Sequence, residues 1–453
     1  MQSGNQQPSQ KILYGSETAK ALTNFTISEM KMPRAFLWAL GTVKSACAQA
    51  NCELGLLSKE QASAIQLAAQ EVVNGHHDNQ FPVDVFQTGS GTSTNMNANE
   101  VIASLVSLQN NKQLTVHPND HVNLGQSSND VIPTCIHLSA VKLITEQLLP
   151  ALAHLSTSLD TKAKEHQQTI KTGRTHLMDA MPISFAQEIQ AWRAQVDYVH
   201  SQLTDNLASI GKLAIGGTAV GSGVNTHAQF GQVVTRILSE NTGLNLTPAD
   251  NYFRANSAQD TAVNLSGILK TAAVSLSKIS NDIRWLSSGP LNGLNEIQLS
   301  ELQKGSSIMP GKVNPVIPEA VLMGCTQVIG NDSTITLAAH SGNFQLNTML
   351  PLIAHTLIQS IHLLSTCSTS LADKVIKDMQ VNQQKIEQNL ARNPMLVTAL
   401  TSLIGYDKST EIAQLAYKEN RTILDVAKQL TDIDEAELTA RLDPKSLISN
   451  QHK

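Results

Sequence analysis

Gly305-Ser-Ser-Ile-Met-Pro-Gly-Lys-Val-Asn-Pro-Val-Ile-Pro-Glu319 is the stretch from which the fold and the chemistry are read. It holds two hydroxyls (Ser306, Ser307), one cation (Lys312), one amide (Asn314), two glycines and three prolines. Proline fixes φ and cannot sit inside a regular helix, and glycine reaches conformations that other residues avoid. Gly305 to Pro315 is therefore a shaped loop, and the apolar run after Pro318 starts a helix. A serine beside glycine offers its hydroxyl next to bare backbone N–H groups. Lys312 and Asn314 add a charge and a donor that suit a carboxylate or a developing oxyanion. On composition alone a plain Ser/Gly/Pro connection between helices fits equally well, because turn residues cluster in any loop. The order of the residues sets this one apart.

The chain around the loop has 453 residues, 41% of them hydrophobic, enough for a sizeable core and two or three domains. Charged residues make up 15% and aromatics 4%, so the core must be aliphatic. A net charge of −5 gives no reason to expect nucleic-acid or anionic-membrane binding, and any anion site must be local. The five cysteines (Cys47, Cys52, Cys135, Cys325, Cys367) are scattered and odd in number. That pattern suggests reduced thiols in a cytoplasmic protein rather than disulfides or a metal site. Met1 to Gln10 is polar and uncharged, which fits a disordered tail and not a targeting signal. No run of about 18 apolar residues stands out, so no membrane span is expected.

Taken in order, Met32 to Ala50 reads as the first clear helix, with Phe36, Leu40, Val43 and Cys47 on one face. Ser58 caps the next, with Gln61 at capping-box spacing, and Gly75 ends it. Gln80 to Val85 is irregular or extended. Thr88 to Glu100 is rich in Ser, Thr, Asn and Gly and opens into a helix carrying Val101, Leu105 and Leu108. Such a start presents unpaired N–H groups that favour anions, and it also fits a bare N-cap. His117 and His121 have the spacing of a metal pair on a helix, but Pro118 argues against a helix there and no third ligand lies nearby. Ser127, Ser128 and Asn129 precede another apolar helix, which Asn129 or Asp130 would cap.

From Val131 to about Lys374 the pattern is long and helical. Leu138, Val141, Ile144, Leu148 and Leu152 make one stripe; Ile268, Ala272, Leu276, Ile279, Ile283 and Leu286 make another. Strand-like alternation is hard to find. Helices of about 25–35 residues joined by short turns form a bundle, and oligomerisation would bury their surplus apolar surface. Two more loops interrupt it. Gly173-Arg-Thr-His-Leu-Met-Asp-Ala-Met-Pro182 sets His176 near Asp179, where an imidazole can move a proton. Leu213 to Asn225 is Gly-rich without a preceding strand, which suits tight helix packing better than a nucleotide cradle. After Val381 only short helical pieces remain. Three domains are expected: 1–126, mostly helical; 127–381, the long-helix bundle; and 382–453, a small helical end.

Thr88–Glu100, His117–Asn129, Gly173–Pro182, Gly216–Asn225 and Gly305–Glu319 together resemble, in the same order, the motifs of the class II fumarase family within the fumarase/aspartase superfamily. The resemblance covers essentially the whole chain, including Ile404-Gly-Tyr-Asp407. His176, Ser128 and Gly311 stand where aspartases tend to have Gln, Thr and Ala; Tyr14-Gly-Ser-Glu17 departs from the usual start and leaves that segment's role open.

The resemblance implies an all-α, three-domain fold whose central bundle tetramerises, with four sites each built from three chains. It implies reversible hydration of fumarate to (S)-malate, with no metal and no organic cofactor. Ser306 resembles the base, and His176, paired with Glu319, the acid. Ser90, Gly91, Thr92, Ser127, Ser128, Asn129, Thr175, Ser307, Lys312, Val313 and Asn314 resemble substrate contacts. His117, Pro118, Asn119 and Asp120 resemble a second, non-catalytic anion site. An aspartase-like ammonia-lyase and a non-catalytic scaffold are the other readings, and the intact His176, Ser306 and Lys312 argue against the scaffold.

Overall fold

A computed structural model describes residues 11–110 and 112–448; Met1 to Gln10, read above as a tail, lie outside the described residues. The chain is mostly helical, 65% helix against 6% strand. Helices α1 (Ser16–Asn24), α2 (Arg34–Glu53), α3 (Lys59–Val73), α4 (Thr92–Gln109), α5 (Ser128–Leu143) and α6 (Leu149–Glu165) come first. A hairpin of β1 (Ile170–Thr175) and β2 (Met178–Ser184) follows. Then come α7 (Phe185–Ile210), α8 (Phe230–Thr242), α9 (Tyr252–Ser257), α10 (Asp260–Leu286), α11 (Val316–His340), α12 (Leu350–Leu371) and α13 (Gln383–Ala391). The expected stripes are the core faces, except that Ile268 is half-buried. Leu138, Val141, Ile144, Leu148 and Leu152 are buried, as are Ala272, Leu276, Ile279, Ile283 and Leu286. Each fully buried aliphatic side chain stabilises the fold by about 1.5–3 kcal/mol relative to exposure.

The chain forms two compact units. The first takes residues 1–150, 199–273 and 324–365; the second takes 151–198, 274–323 and 366–453. The divisions fall inside α6, α7, α10, α11 and α12, so each of these helices contributes to both units.

In the first unit, α3 starts as expected, with Ser58 Oγ accepting from the Gln61 N–H at 3.2 Å. The Tyr14–Glu17 segment also finds its place. Gly15 has no side chain to cap α1, and Glu100 of α4 does so instead. Its carboxylate accepts from the backbone N–H groups of Gly15 (2.9 Å), Glu17 (2.9 Å) and Thr18 (3.1 Å), and from the Thr18 hydroxyl at 2.6 Å. A carboxylate there meets the positive end of the helix. The helical run from Leu350 to Ile376 is 27 residues long and apolar enough, by length and composition, to cross a membrane. This differs from the expectation of no such run. Its apolarity follows from its position: Leu350, Ile353, Ala354, Leu357, Ile361, Leu364 and Leu371 are all buried inside the protein.

In the second unit, the stretch read as a loop from Gly173 to Pro182 is the antiparallel hairpin. Thr172 pairs with Pro182 and Thr175 with Met178, and the register shifts between Thr172 and Arg174. That shift breaks the period of two that marks a strand in sequence. Asn393 holds the hairpin from outside, its Nδ2 donating to Ala180 O at 2.8 Å and Thr172 Oγ1 at 3.3 Å. A buried ion network holds it from beneath. Lys171 Nζ lies 2.7 Å from Glu188 and 2.9 Å from Glu296, and Arg174 donates to the other Glu296 oxygen. The side chains of Lys171 and Glu296 are each only 1% exposed. Burial pushes the Glu296 carboxyl up, but Arg174 and Lys171 outweigh it and hold the group below the usual carboxylate range. The C-terminal segment closes this unit around Leu400, Ile412, Val426 and Leu438.

Removing one member of a buried ion network strands the others. Glu296→Ala should therefore lower unfolding free energy by about 3–5 kcal/mol, read as a fall in the urea midpoint. A midpoint within experimental scatter of wild type would show that the network does not anchor the hairpin.

Candidate active site

In the first unit the site residues gather at two helix starts. Gly91 sits at φ 74° just before α4, and a Cβ there would lie 2.8 Å from Ile132 of α5, so only glycine lets the two helices meet. Ser90 Oγ and Thr92 Oγ1 share a hydrogen bond of 2.7 Å. The turn is joined to the start of α12 by a 3.0 Å bond from Leu350 N to Gly89 O. At α5 the cap is Ser127, and Asp130 is the reciprocal member of a capping box rather than the cap itself. The Asn129 N–H donates to Ser127 Oγ at 3.2 Å, and Asn129 Nδ2 donates to Ala219 O at 2.8 Å. Asn95 of α4 donates to Ser128 Oγ at 3.1 Å, which ties the two helix starts together.

His117 to Asp120 form a separate feature. Pro118 does not prevent a helical turn; it begins one, a single π-turn over Pro118–Val122. At the first position its missing N–H would have been unpaired in any case. His117 Nδ1 accepts from the Asp120 N–H at 3.2 Å, and His121 Nδ1 from the His117 N–H at 2.7 Å. Both imidazoles are thereby engaged in shaping the turn.

In the second unit His176 and Leu177 form the tip of the hairpin, exposed, with φ of 55° and 62°. Two adjacent non-glycine residues in the left-handed region cost about 1–2 kcal/mol each. Strain of this kind persists where the surroundings impose it, as the ion network and Asn393 do here. Thr175 adjoins the tip, exposed as well.

The loop from Gly305 doubles back on itself. A Cβ on Gly305 would lie 1.9 Å from Lys312 O, and Asn314 Nδ2 donates to Gly305 O at 2.6 Å. Ser306 Oγ accepts two backbone N–H groups, from Met309 at 3.1 Å and Ile308 at 3.2 Å. A serine oxygen held by two N–H donors is one whose negative charge would be stabilised.

Comparisons with known proteins identify the family. Residues 5–330 match the family model described as Lyase, and residues 396–449 the one described as Fumarase C C-terminus. A class II fumarate hydratase of Xylella fastidiosa is 52% identical over 435 residues, covering 96% of this chain and 92% of the relative. A second, from Pseudomonas aeruginosa, is 52% identical over 437 residues, covering 96% and 95%. The crystal structure of class II fumarase from Schistosoma mansoni superposes with a TM-score of 0.95 at 38% identity, covering 98% of this chain and 97% of that one. The chain belongs to the class II fumarate hydratases.

A cavity lies beside the Gly305 loop of this fumarate hydratase. It encloses about 650 Å³, and Lys312, Val313, Asn314 and Glu319 line it. Glu319 lies in the first turn of α11, where the helix start favours a carboxylate. Ser306, Ser307, Thr175 and His176 stand outside this lining, and Ser90 to Thr92 and Ser127 to Asn129 belong to the other unit. Arg284 and Trp285 of α10 also line the cavity, and sequence reasoning missed both. They sit at the end of a helix read only for its apolar stripe. The available signal was a cation beside an aromatic on the polar face of its last turn.

Gly305→Ala should open the loop and scatter the donors around Ser306. Turnover should fall by more than about tenfold, a loss above about 1.4 kcal/mol of transition-state stabilisation, while the melting temperature stays close to wild type because the loop is exposed. Wild-type turnover would show that the Gly305–Lys312 contact does not shape the site.

Proposed function

We propose that this chain catalyses the reversible hydration of fumarate to (S)-malate by general acid/base chemistry. The observation that carries the mechanism is the pair of N–H donors on Ser306 Oγ. A serine hydroxyl is a poor base in water, and those donors with Lys312 nearby in the loop make its alkoxide accessible. In the dehydration direction Ser306 takes the C3 proton of malate. The electron pair forms the C2–C3 double bond as the C2 hydroxyl departs. His176, paired with Glu319, delivers a proton through water so that the hydroxyl leaves as H2O. Proton removal beside a carboxylate builds a dianionic aci-acid. Lys312, Asn314, Asn129, Thr92 and Ser90 hold the carboxylates, with Gly91, Ser127, Ser128, Thr175, Ser307 and Val313 as further contacts. Neither a metal nor an organic cofactor is required. The reaction belongs to the tricarboxylic acid cycle, in the cytoplasm.

The site is completed by assembly into a homotetramer, each site drawing on three chains. Two observations support this. The carboxylate donors divide between the two units. The long helices also present apolar side chains to solvent, with Met323 and Leu337 of α11 each 69% exposed and Val274 and Trp285 of α10 each 54% exposed. A lone subunit gains nothing from such surface, and neighbouring copies would bury it.

Supplied with malate, the protein should form fumarate, seen by its ultraviolet absorbance, faster than it releases ammonia from aspartate. Ser306→Ala should fold normally and lose more than about tenfold in turnover. Faster aspartate deamination would favour the ammonia-lyase reading, and a Ser306→Ala enzyme near wild-type rate would reassign the base.

A further inference from the structure

Asp130, next in sequence to Asn129, is fully buried. Its Oδ1 accepts the Ser127 N–H at 2.9 Å and closes the capping box of α5. Its Oδ2 accepts two more N–H groups, from Thr218 at 2.8 Å and Gly216 at 3.1 Å. The turn held in this way leads into Ala219, whose carbonyl receives Asn129 Nδ2 at 2.8 Å. An amide nitrogen has two N–H bonds, so fixing one on Ala219 fixes the direction of the other. The turn is costly to hold: Thr218 sits at φ 52° and Gly216 at φ 104°. Gly216 also packs so closely on Gly231 that a Cβ would lie 2.8 Å from the Gly231 Cα. Asn256 Nδ2 braces it from α9, donating to Thr218 O at 2.9 Å.

We propose that Asp130 is a positioning residue of the dicarboxylate site: its carboxylate locks the Gly216–Ala219 turn to the start of α5, sets the Asn129 amide, and on taking up a proton releases that amide and weakens dicarboxylate binding. This rests on the reading of Asn129 as a carboxylate donor. A carboxylate offers acceptors to all three N–H groups, whereas a protonated carboxyl turns one oxygen into a donor and opposes one of them.

The groups facing Asp130 can be named. Lys44 of α2 is fully buried, with Nζ donating to Asn123 Oδ1 and Gln126 Oε1, both at 2.9 Å. Cys47 of α2 and Cys135 of α5 are buried thiols that burial pushes up. Tyr252 of α9 is raised by burial and then by the charge of Asp130. Burial pushes the Asp130 carboxyl from its usual 3.8 up to about 6, against the pull of its three N–H donors and of Lys44. Burial likewise brings Lys44 down to about 8. The signs for stability and for binding are opposite. With its folded value raised, Asp130 contributes stability that is full below its unfolded value and lost as pH rises through about 6. Binding needs the ionised form, so it weakens as pH falls through the same range. Acid weakening therefore cannot be ascribed to unfolding driven by this group.

The test is calorimetric titration of the full-length protein with D-tartrate, a hydroxydicarboxylate ionised throughout the range, in a His176→Asn background that removes the imidazole. Between pH 7.5 and 5.5 the Kd should rise about fourfold, following the ionised fraction of one carboxyl. Asp130→Asn in the same background should bind at least about fivefold more weakly at pH 7.5, with a Kd that no longer changes with pH. A folded Asp130→Asn protein with unchanged Kd and unchanged pH slope would overturn the proposal. If that variant does not fold, a flat Kd across the range in His176→Asn alone overturns it. Asn129→Ala separates the two layers. Undiminished tartrate binding there would reject the reading of Asn129 and the proposal with it. Weakened binding there, with Asp130→Asn unaffected, would reject only the role of Asp130.

Discussion

A carboxylate set against the first N–H groups of a helix is the interaction that recurs through this structure: Glu100 accepts from the N–H groups that open α1, and Asp130 closes the capping box of α5. The dicarboxylate proposed as substrate would bring two more such charges. Thr92 is the first residue of α4, and Ser128 and Asn129 are the first two of α5. Glu319 lies in the first turn of α11, directly after the loop that carries Ser306, Lys312 and Asn314. Long buried helices are the means of fixing such starts. Their apolar stripes set where the ends fall, and close contacts such as Gly91 on Ile132 set how near two ends come.

The protein gives up stability at the hairpin that carries His176. His176 and Leu177 hold a strained tip, and the hairpin beneath stands on buried charges whose desolvation is costly. Burying Lys171 and Glu296 together is tolerable only because each finds a partner, and breaking the set leaves a charge without water or counter-ion. Lys44 and Asp130 follow the same rule in the other unit, with neutral amides and backbone N–H groups as partners.

Much of this was legible in the sequence because it rests on local rules. The helices carrying the Leu138 and Leu276 stripes, the cap at Ser58 and the short helices Gln383–Ala391 and Ile423–Leu430 follow from periodicity and capping chemistry. The Gly305 loop announced itself through residues that only a shaped backbone needs. What stayed hidden depends on partners distant in sequence. The hairpin was masked by its register shift and by Gly173 and Pro182. The capping of α1 by Glu100 joins residues more than eighty apart. The turn after His117 was misjudged because proline was weighed as a helix breaker and not as a first residue. The apolarity of α12 came from burial on several sides, which composition cannot separate from a membrane span.

The catalytic site proposed above is assembled from residues of different chains. Separately prepared, inactive His176→Asn and Ser306→Ala proteins can be dissociated, mixed and reassembled, with subunit exchange confirmed by mass. Fumarate hydration should return in the hybrids, since some sites would draw an intact His176 from one chain and an intact Ser306 from another. Exchange without any return of activity would contradict it and place each site within a single chain.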